Sequence, residues 1–295
     1  MYWSLRKKGV TEKMIRIIKA MYDGARTVVK TSNGNTDSFE IKVGVHQGSC
    51  LSPLLFIIVM DVVSEYVRKD LPWDMLYADD LNIATETSTD AQTRLTKWQQ
   101  ALEHAGLRVN ASKTETMVCA KIQEKVDIVD CHGKRLNQVD CFKYLGLTIT
   151  ATGGCETDVK CRIKATWCKW KELSGVVCDK RMPIRLKGKV YKTMIRPVLM
   201  YGSETWALRR KEEQLIQRTE MRMLRWITGV TLKDKIRSED IRLKTGVADV
   251  KDKIKESRLR WYGHVKRSGD DSFLKNIMDA EVRGRRSQGR QRKDG

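Results

Sequence analysis

No stretch of this 295-residue chain is long and apolar enough to cross a membrane as a helix. The longest uninterrupted apolar run, Leu54-Leu55-Phe56-Ile57-Ile58-Val59-Met60, ends at once on Asp61, far short of the roughly twenty residues a span needs. Met1 to Gly9 lack the apolar core and small-residue cleavage site of a secretory leader. An intracellular setting is therefore expected, with the eight cysteines reduced. No CxxC pair occurs, and Cys155, Cys161, Cys168 and Cys178 are spaced widely and irregularly with no histidine nearby. That spacing argues against structural zinc and for small buried apolar side chains. Internal repeats are absent as well. Acidic residues are in deficit, 37 Asp and Glu against 57 Lys and Arg, for a formal charge of +20 spread along the chain. A polyanion is the expected partner, nucleic acid first, with an acidic membrane surface as the rival.

What is present is a chain able to bury a sizeable core, 41% hydrophobic, in which only the last dozen or so residues lack packing potential. Thr11 reads as the N-cap of a helix carrying Met14, Ile15, Ile17, Ile18, Met21 and Tyr22, stopped by Gly24. Residues 27–32 and 39–45 read as two strands around the turn Asn33-Gly34-Asn35, with Phe39, Ile41, Val43 and Val45 on one face. Ser52-Pro53 starts a largely buried helix, with Ser52 as its N-cap. Ser88 and Asp90 open another, with Ala91, Leu95, Trp98 and Leu102 as its apolar face and Gly106 as its stop. Strands follow at 107–110 and 116–120. The pattern is α+β: an antiparallel sheet carrying helices on one face through residues 1–150. Beyond it lie helices rich in Trp, Met, Lys and Arg, with Val159, Ile163, Trp167 and Trp170 on one face and Leu215, Leu224 and Ile227 on another. Residues 151–235 form one helical region and residues 236–295 a basic one with an Arg-rich tail. Trp261, Tyr262 and Val265 recur as one helix face, which reads as core.

Tyr77-Ala78-Asp79-Asp80 sits between the short apolar runs Met75-Leu76-Tyr77 and Leu81-Asn82-Ile83-Ala84. This places two adjacent carboxylates at the tip of a β-hairpin. Holding both beside an apolar sheet costs free energy unless hydrogen bonds or a divalent cation compensate, and hard oxygen ligands suit Mg²⁺ or Mn²⁺. Asp-Asp is also an ordinary turn dipeptide.

About one helix upstream stands Gly44-Val45-His46-Gln47-Gly48-Ser49-Cys50-Leu51-Ser52-Pro53-Leu54-Leu55-Phe56. This segment and the acidic box resemble, residue for residue, the G-x-x-Q-G-x-x-x-S-P-L-L-F block and Y-A-D-D box of non-LTR (LINE-like) retrotransposon reverse transcriptases. Gly106 to Thr114 resemble the next palm block of that family, and Phe142-Lys143-Tyr144-Leu145-Gly146 its primer-grip strand, so the resemblance runs along almost the whole chain in order. It implies a partial right-hand polymerase, with a palm and finger remnants at 1–150, a thumb-like region at 151–235 and a basic C-terminal region. The implied reaction is attack of a primer 3′-hydroxyl on a deoxynucleotide, catalysed by two metal ions, Mg²⁺ or Mn²⁺. Asp79 and Asp80 then hold metal, Gln47, Gly48 and Tyr77 lie along nucleotide and template, and Lys113 is a proton donor to pyrophosphate. Tyr144, Leu145 and Gly146 form the primer grip. The implied partners are an RNA template, a DNA primer or target DNA, and deoxynucleotides, with no membrane and no small-molecule cofactor. Retrotransposon biology and the basic tail point to the nucleus.

The family pattern also carries a metal-binding aspartate on a strand ahead of the helix that leads into Gly9. The sequence starts past that point, and Glu12, Asp23, Asp37 and Glu40 stand on no such strand. The expectation is an N-terminally truncated element with an incomplete metal site and no activity. The competing function is non-catalytic nucleic-acid binding through Arg258, Arg260, Lys266, Arg267, Arg285, Arg286, Arg290 and Arg292, by phosphate contacts and stacking. A third reading is a fragment with no role, its palm sheet left with an unpaired edge.

Overall fold

Contacts in the computed structural model, which describes residues 1–41, 43–69, 73–120, 125–269 and 272–279, divide the chain between residues 140 and 141 into two units.

In the first unit, helices α1 (Tyr2–Lys7) and α2 (Glu12–Tyr22) bury Leu5, Ile15 and Ile18 against Leu55 of α3 (Ser52–Ser64). Thr11 is the N-cap residue of α2, and Gly24, at φ +71, follows its end. Helix α3 begins at Ser52-Pro53, but Leu51 is its N-cap, and the Ser52 hydroxyl donates to the His46 carbonyl at 2.5 Å instead of capping the helix. One side of α3 is buried through Leu55, Met60, Val62 and Val63, while Leu54 and Ile57 on the other are exposed. A helix apolar all round is expected to be buried on every side, yet among the described residues α3 has neighbours along one stripe only. Helix α4 (Ser88–His104) is capped by the Thr87 hydroxyl, which accepts from the Asp90 amide at 3.2 Å, and it buries Trp98 and Leu102 against Met60 and Val63.

The strands depart from the expected sheet. β1 (Arg26–Thr27), β2 (Lys30–Thr31), β3 (Gly34–Asn35) and β4 (Phe39–Glu40) make the expected hairpin as two short antiparallel ladders, β1 on β4 and β2 on β3. Its apolar face, Phe39, Ile41, Val43 and Val45, is exposed, Val43 at 89%. β5 (Asp74–Tyr77) pairs with β6 (Asp80–Ile83), and β7 (Glu115–Thr116) runs parallel to β8 (Asn137–Gln138). Residues 107–110 form no strand, because the Leu107 amide closes the end of α4 on the Leu102 carbonyl at 2.8 Å and the Asn110 side chain accepts from the Ser112 amide at 3.1 Å. A side chain that folds back on its own backbone favours a turn over a ladder. Among the described residues every sheet is a two-stranded ladder, so the single antiparallel sheet gives way to helices and small separate ladders.

The second unit opens with the hairpin β9 (Cys141–Tyr144) and β10 (Leu147–Thr150), followed by α5 (Glu156–Val177) and α6 (Ile184–Val190). A π-helical turn (Tyr191–Ile195) leads into α7 (Arg196–Met200), α8 (Arg210–Thr228), α9 (Ser238–Thr245), α10 (Val250–Arg267) and α11 (Phe273–Asp279). One core joins Trp170, Tyr191, Ile195, Leu224 and Ile227 to Ile241 and Val247, and a second joins Val159, Leu199 and Ile216 to Val250 and Ile254. Residues on both sides of position 235 therefore share the same cores. The inward stripe of α8 is Ile216, Glu220, Met223, Leu224 and Ile227, and Leu215, one position off that stripe, is exposed. The cysteine expectation fails for the same reason: Cys161, Cys168 and Cys178 lie off the α5 stripe of Val159, Thr166, Trp170 and Val177 and are exposed.

Glu220 is fully buried among cations and donors. Its carboxylate accepts from Arg196 (2.6 Å), Arg242 (2.6 Å), Tyr191 (3.1 Å) and the Val250 amide (3.0 Å). Burial, reinforced by the Glu220 charge, pushes the Tyr191 hydroxyl well above its ordinary pKa.

Candidate active site

The acidic box forms the hairpin that the sequence pattern demands. Tyr77 pairs with Asp80, Leu76 with Leu81, Met75 with Asn82 and Asp74 with Ile83, leaving Ala78 and Asp79 as the two-residue turn. Paired residues in an antiparallel ladder share a face. One face therefore carries Asp74, Leu76, Leu81 and Ile83, and the other carries Met75, Tyr77, Asp80 and Asn82. The leucine face packs with Ile83 on Met60, Val63, Trp98 and Leu102 of α3 and α4. Leu76, Leu81 and Ile83 are half-buried there, so each contributes less than the about 1.5–3 kcal/mol of full burial. Asp79 and Asp80 are left exposed, and Tyr77 is 63% exposed. Ala78 holds φ +52, a left-handed conformation that costs a non-glycine residue about 1 kcal/mol or more.

A buried ion pair fixes the base of the hairpin. Asp74, 2% exposed, meets Arg94 of α4, 5% exposed, and also accepts from the Lys69 amide at 2.7 Å. Arg94 in turn donates to the Ala84 carbonyl at 3.1 Å. Asp61, on α3, is likewise engaged: Lys8 lies at 2.5 Å and Arg68 at 3.0 Å, and the Lys8 hydrogen bond chiefly holds its carboxyl below the usual range. Asp79 and Asp80 differ, since no described residue forms an ion pair with either. Two adjacent, exposed, unneutralised carboxylates are a donor set that fits Mg²⁺ or Mn²⁺, which typically bind one or two protein carboxylates and keep other positions for water or phosphate. Among the described residues, no third acidic, cysteine or histidine side chain joins this pair.

Gln47 and Gly48 lie exposed in the loop before α3. That loop is anchored by stacking of His46 on Tyr22, ring centroids 4.2 Å apart, and Gly48 holds φ +84, which glycine adopts without strain. Lys113 is exposed in the turn after Asn110, its amide donating to the Asn110 carbonyl at 3.0 Å. Tyr144 ends β9, paired with Leu147, and Leu145 and Gly146 form the two-residue turn of the β9–β10 hairpin, which belongs to the second unit although the expected boundary fell after residue 150. Of the expected nucleic-acid contacts, Arg258, Arg260, Lys266 and Arg267 are exposed on α10, whereas Arg285, Arg286, Arg290 and Arg292 lie outside the described residues. Trp261 and Tyr262 are 43% and 51% exposed, so of that trio only Val265 is core. Asp74 and Arg94 were missed by sequence reasoning. Their one signal is a charge at a core position: Asp74 alternates with Leu76, and Arg94 is one helical turn from Trp98.

The family described as reverse transcriptase (RNA-dependent DNA polymerase) matches residues 3–149, the segment that holds this hairpin and its two supporting helices. That segment belongs to the reverse transcriptase family. Several of the chain's relatives are named as RNA-directed DNA polymerases of mobile elements, in keeping with a LINE-like, non-LTR reverse transcriptase. It is 25% identical over 279 residues to the RNA-directed DNA polymerase from mobile element jockey of Drosophila funebris, an alignment covering 87% of this chain and 29% of that protein. Identity is 28% over 169 residues to the Pol polyprotein from type-2 retrotransposable element R2DM of Drosophila melanogaster, covering 52% and 16%. It is 25% over 207 residues to a transposon-derived protein of Caenorhabditis elegans, covering 67% and 72%. The chain thus spans most of the nematode protein but under a third of the jockey polymerase.

Proposed function

We propose that the first unit is the palm of an RNA-directed DNA polymerase and that the second is its thumb-like helical region with a basic extension. The observation that carries this reading is the pair of exposed, unneutralised carboxylates, Asp79 and Asp80, on a hairpin whose other face is packed on α3 and α4. In this role Asp79 and Asp80 hold the divalent cation. When bound, the ion lowers the pKa of the primer 3′-hydroxyl and offsets charge on the leaving pyrophosphate. Gln47 and Gly48 offer a loop that backbone or base can approach closely, Tyr77 offers an exposed ring, and the Lys113 ammonium supplies a proton to the pyrophosphate. The reading takes an RNA template, a primer or target DNA, and deoxynucleotides as partners. Its finer claim is that Asp79 and Asp80 alone do not complete the two-metal clamp, because groups that act as a unit do not give partial activity. This chain by itself then makes no templated product.

Primer extension on an RNA template with Mg²⁺ or Mn²⁺, comparing the chain with its Asp79→Ala, Asp80→Ala double variant, tests both claims. Folded protein without synthesis is expected, together with Mn²⁺ binding that the double variant loses. Synthesis that depends on Asp79 overturns the incompleteness claim, and Mn²⁺ binding indifferent to both aspartates overturns the palm site.

A second reading is favoured by α10, where the exposed Trp261 and Tyr262 stand among Arg258, Arg260 and Lys266, with the Lys266 ammonium 5.9 Å from the Tyr262 ring centroid. Exposed rings among cations suit stacking and phosphate contacts to a single strand without catalysis. Binding of a labelled oligonucleotide that falls steeply with salt and weakens in Trp261→Ala supports it.

A further inference from the structure

Away from the acidic hairpin, one group of side chains has no place in polymerase chemistry. Glu103, in the last turn of α4, faces a tight turn at Asp130–Gly133 that presents Cys131 and His132. Cys131 Sγ lies 3.2 Å and His132 Nε2 3.0 Å from the same Glu103 oxygen, and the three groups offer one ligand atom each, all within 4.8 Å of one another. Zinc bonds of about 2.0–2.3 Å at tetrahedral angles put ligand atoms roughly 3.3–3.6 Å apart, so a small shift of exposed side chains suffices to admit an ion.

The turn is held by other groups, independently of these three. Gln92 of α4 pairs in both directions with Val129, at 2.7 and 2.8 Å. Gln99, 2% exposed, accepts from the Cys131 amide at 2.9 Å. Asp130, 7% exposed, accepts from the His132 amide at 2.9 Å and the Lys134 amide at 2.7 Å. Gln92, Gln99 and Glu103 lie seven and four residues apart, on one face of the helix. The backbone carrying the two ligands is thus fixed to the helix carrying the third, the kind of support that preorganises a metal site.

We propose that Glu103, Cys131 and His132 form a three-ligand site for zinc, leaving a fourth position for water. One thiolate, one imidazole and one carboxylate are a borderline-soft set, unsuited to the Mg²⁺ that fits the paired aspartates. This site is distinct from the acidic hairpin and does not depend on the polymerase reading. Its effect is to clamp the 128–136 segment to the end of α4, coupling metal binding to stability.

Cobalt(II) titration of the full chain, with cysteines kept reduced by a phosphine, tests the proposal. One equivalent is expected to give a thiolate charge-transfer band that Zn²⁺ displaces. Cys131→Ser abolishes the band, and Cys119→Ser, a control at another exposed thiol, leaves it unchanged. Glu103→Gln and His132→Ala each weaken binding by about tenfold or more, the scale expected on losing a group that supports a metal site. Zn²⁺ also raises Tm for the parent chain and not for Cys131→Ser. A band that survives in Cys131→Ser, no band at all, or parent-like affinity in both Glu103→Gln and His132→Ala overturns the site. Circular dichroism confirms that each variant is folded.

Discussion

Two hairpins with two-residue turns, one in each unit, are built from the same length of strand and fastened at opposite ends. The 74–83 hairpin is tied at its base by Asp74 and Arg94, while the aspartates near its tip have no cationic partner among the described residues. The 141–150 hairpin is tied at its tip. Tyr201 donates to the Leu145 carbonyl at 2.8 Å, Arg162 to the Gly146 carbonyl, and the Arg162 guanidinium lies 4.4 Å from the Tyr201 ring centroid. Behind the turn, Asp158 of α5, 3% exposed, accepts from the Thr148 amide at 2.9 Å and the Trp206 indole at 2.7 Å. Leu145 and Gly146 both hold positive φ, the signature of a type I′ turn, whereas only Ala78 does so in the acidic hairpin. A tip whose carbonyls are consumed by internal bonds is held rigid by the protein itself. A tip whose charges are left unsatisfied is available to a ligand, and the cost of presenting it is met by the packing and the ion pair at the base.

The largest way to break this contrast is at the base. Asp74→Ala leaves Arg94 buried and unpaired, which costs about 3–5 kcal/mol. Guanidinium unfolding should show that loss, and hydrogen exchange should place it in residues 74–83 and 88–104. An exchange pattern unchanged there would mean that the pair does not hold the hairpin.

Asp158→Ala should come next. It strands the buried Trp206 indole and the Thr148 amide but leaves no fully buried charge, so about 2–3 kcal/mol is expected. Exchange should rise across residues 141–150 and leave 74–83 as before.

These two aspartates also mark the limit of what the sequence reveals. The helices α2, α3, α5 and α8 are legible because apolar residues recur with helical period, and the acidic hairpin is legible because two apolar runs flank a turn. The β7–β8 ladder is not, since its partners, Glu115 with Asn137 and Thr116 with Gln138, are distant in sequence. Asp74, Asp158 and Glu220 draw no notice in the sequence; each is buried only because Arg94, Trp206 or the Arg196 and Arg242 pair, respectively, is brought to it by tertiary structure. Leu215 and Ile216 are equivalent by composition, and only the helix rotation distinguishes them. Trp261 and Tyr262 show the reverse error, aromatic residues assigned to core that the fold leaves outside. The zinc candidate was invisible for the same reason as the ion pairs, with Glu103 far from Cys131 and His132 along the chain.

A finer test removes a single bond at the second tip. Tyr201→Phe keeps the ring that Arg162 covers and loses only the hydroxyl donor to Leu145, so about 1 kcal/mol is expected. A loss as large as that of Asp158→Ala would mean that the tip, and not the buried carboxylate, holds the hairpin.

The smallest effect on stability falls on the two aspartates proposed to hold the metal. In metal-free buffer, Asp79→Asn with Asp80→Asn changes stability by no more than about 0.5 kcal/mol, because both side chains are exposed and without cationic partners among the described residues. The direction is toward stabilisation, since two like charges side by side are relieved. Adding Mg²⁺ or Mn²⁺ reverses the order: an ion that binds the native carboxylates stabilises the parent chain by mass action and leaves the variant where it was. Thermal unfolding of both proteins with and without the ion measures this crossing directly. Parallel curves under the two conditions would show that the acidic tip is an ordinary solvated turn, and the contrast between the hairpins would then reduce to one of packing alone.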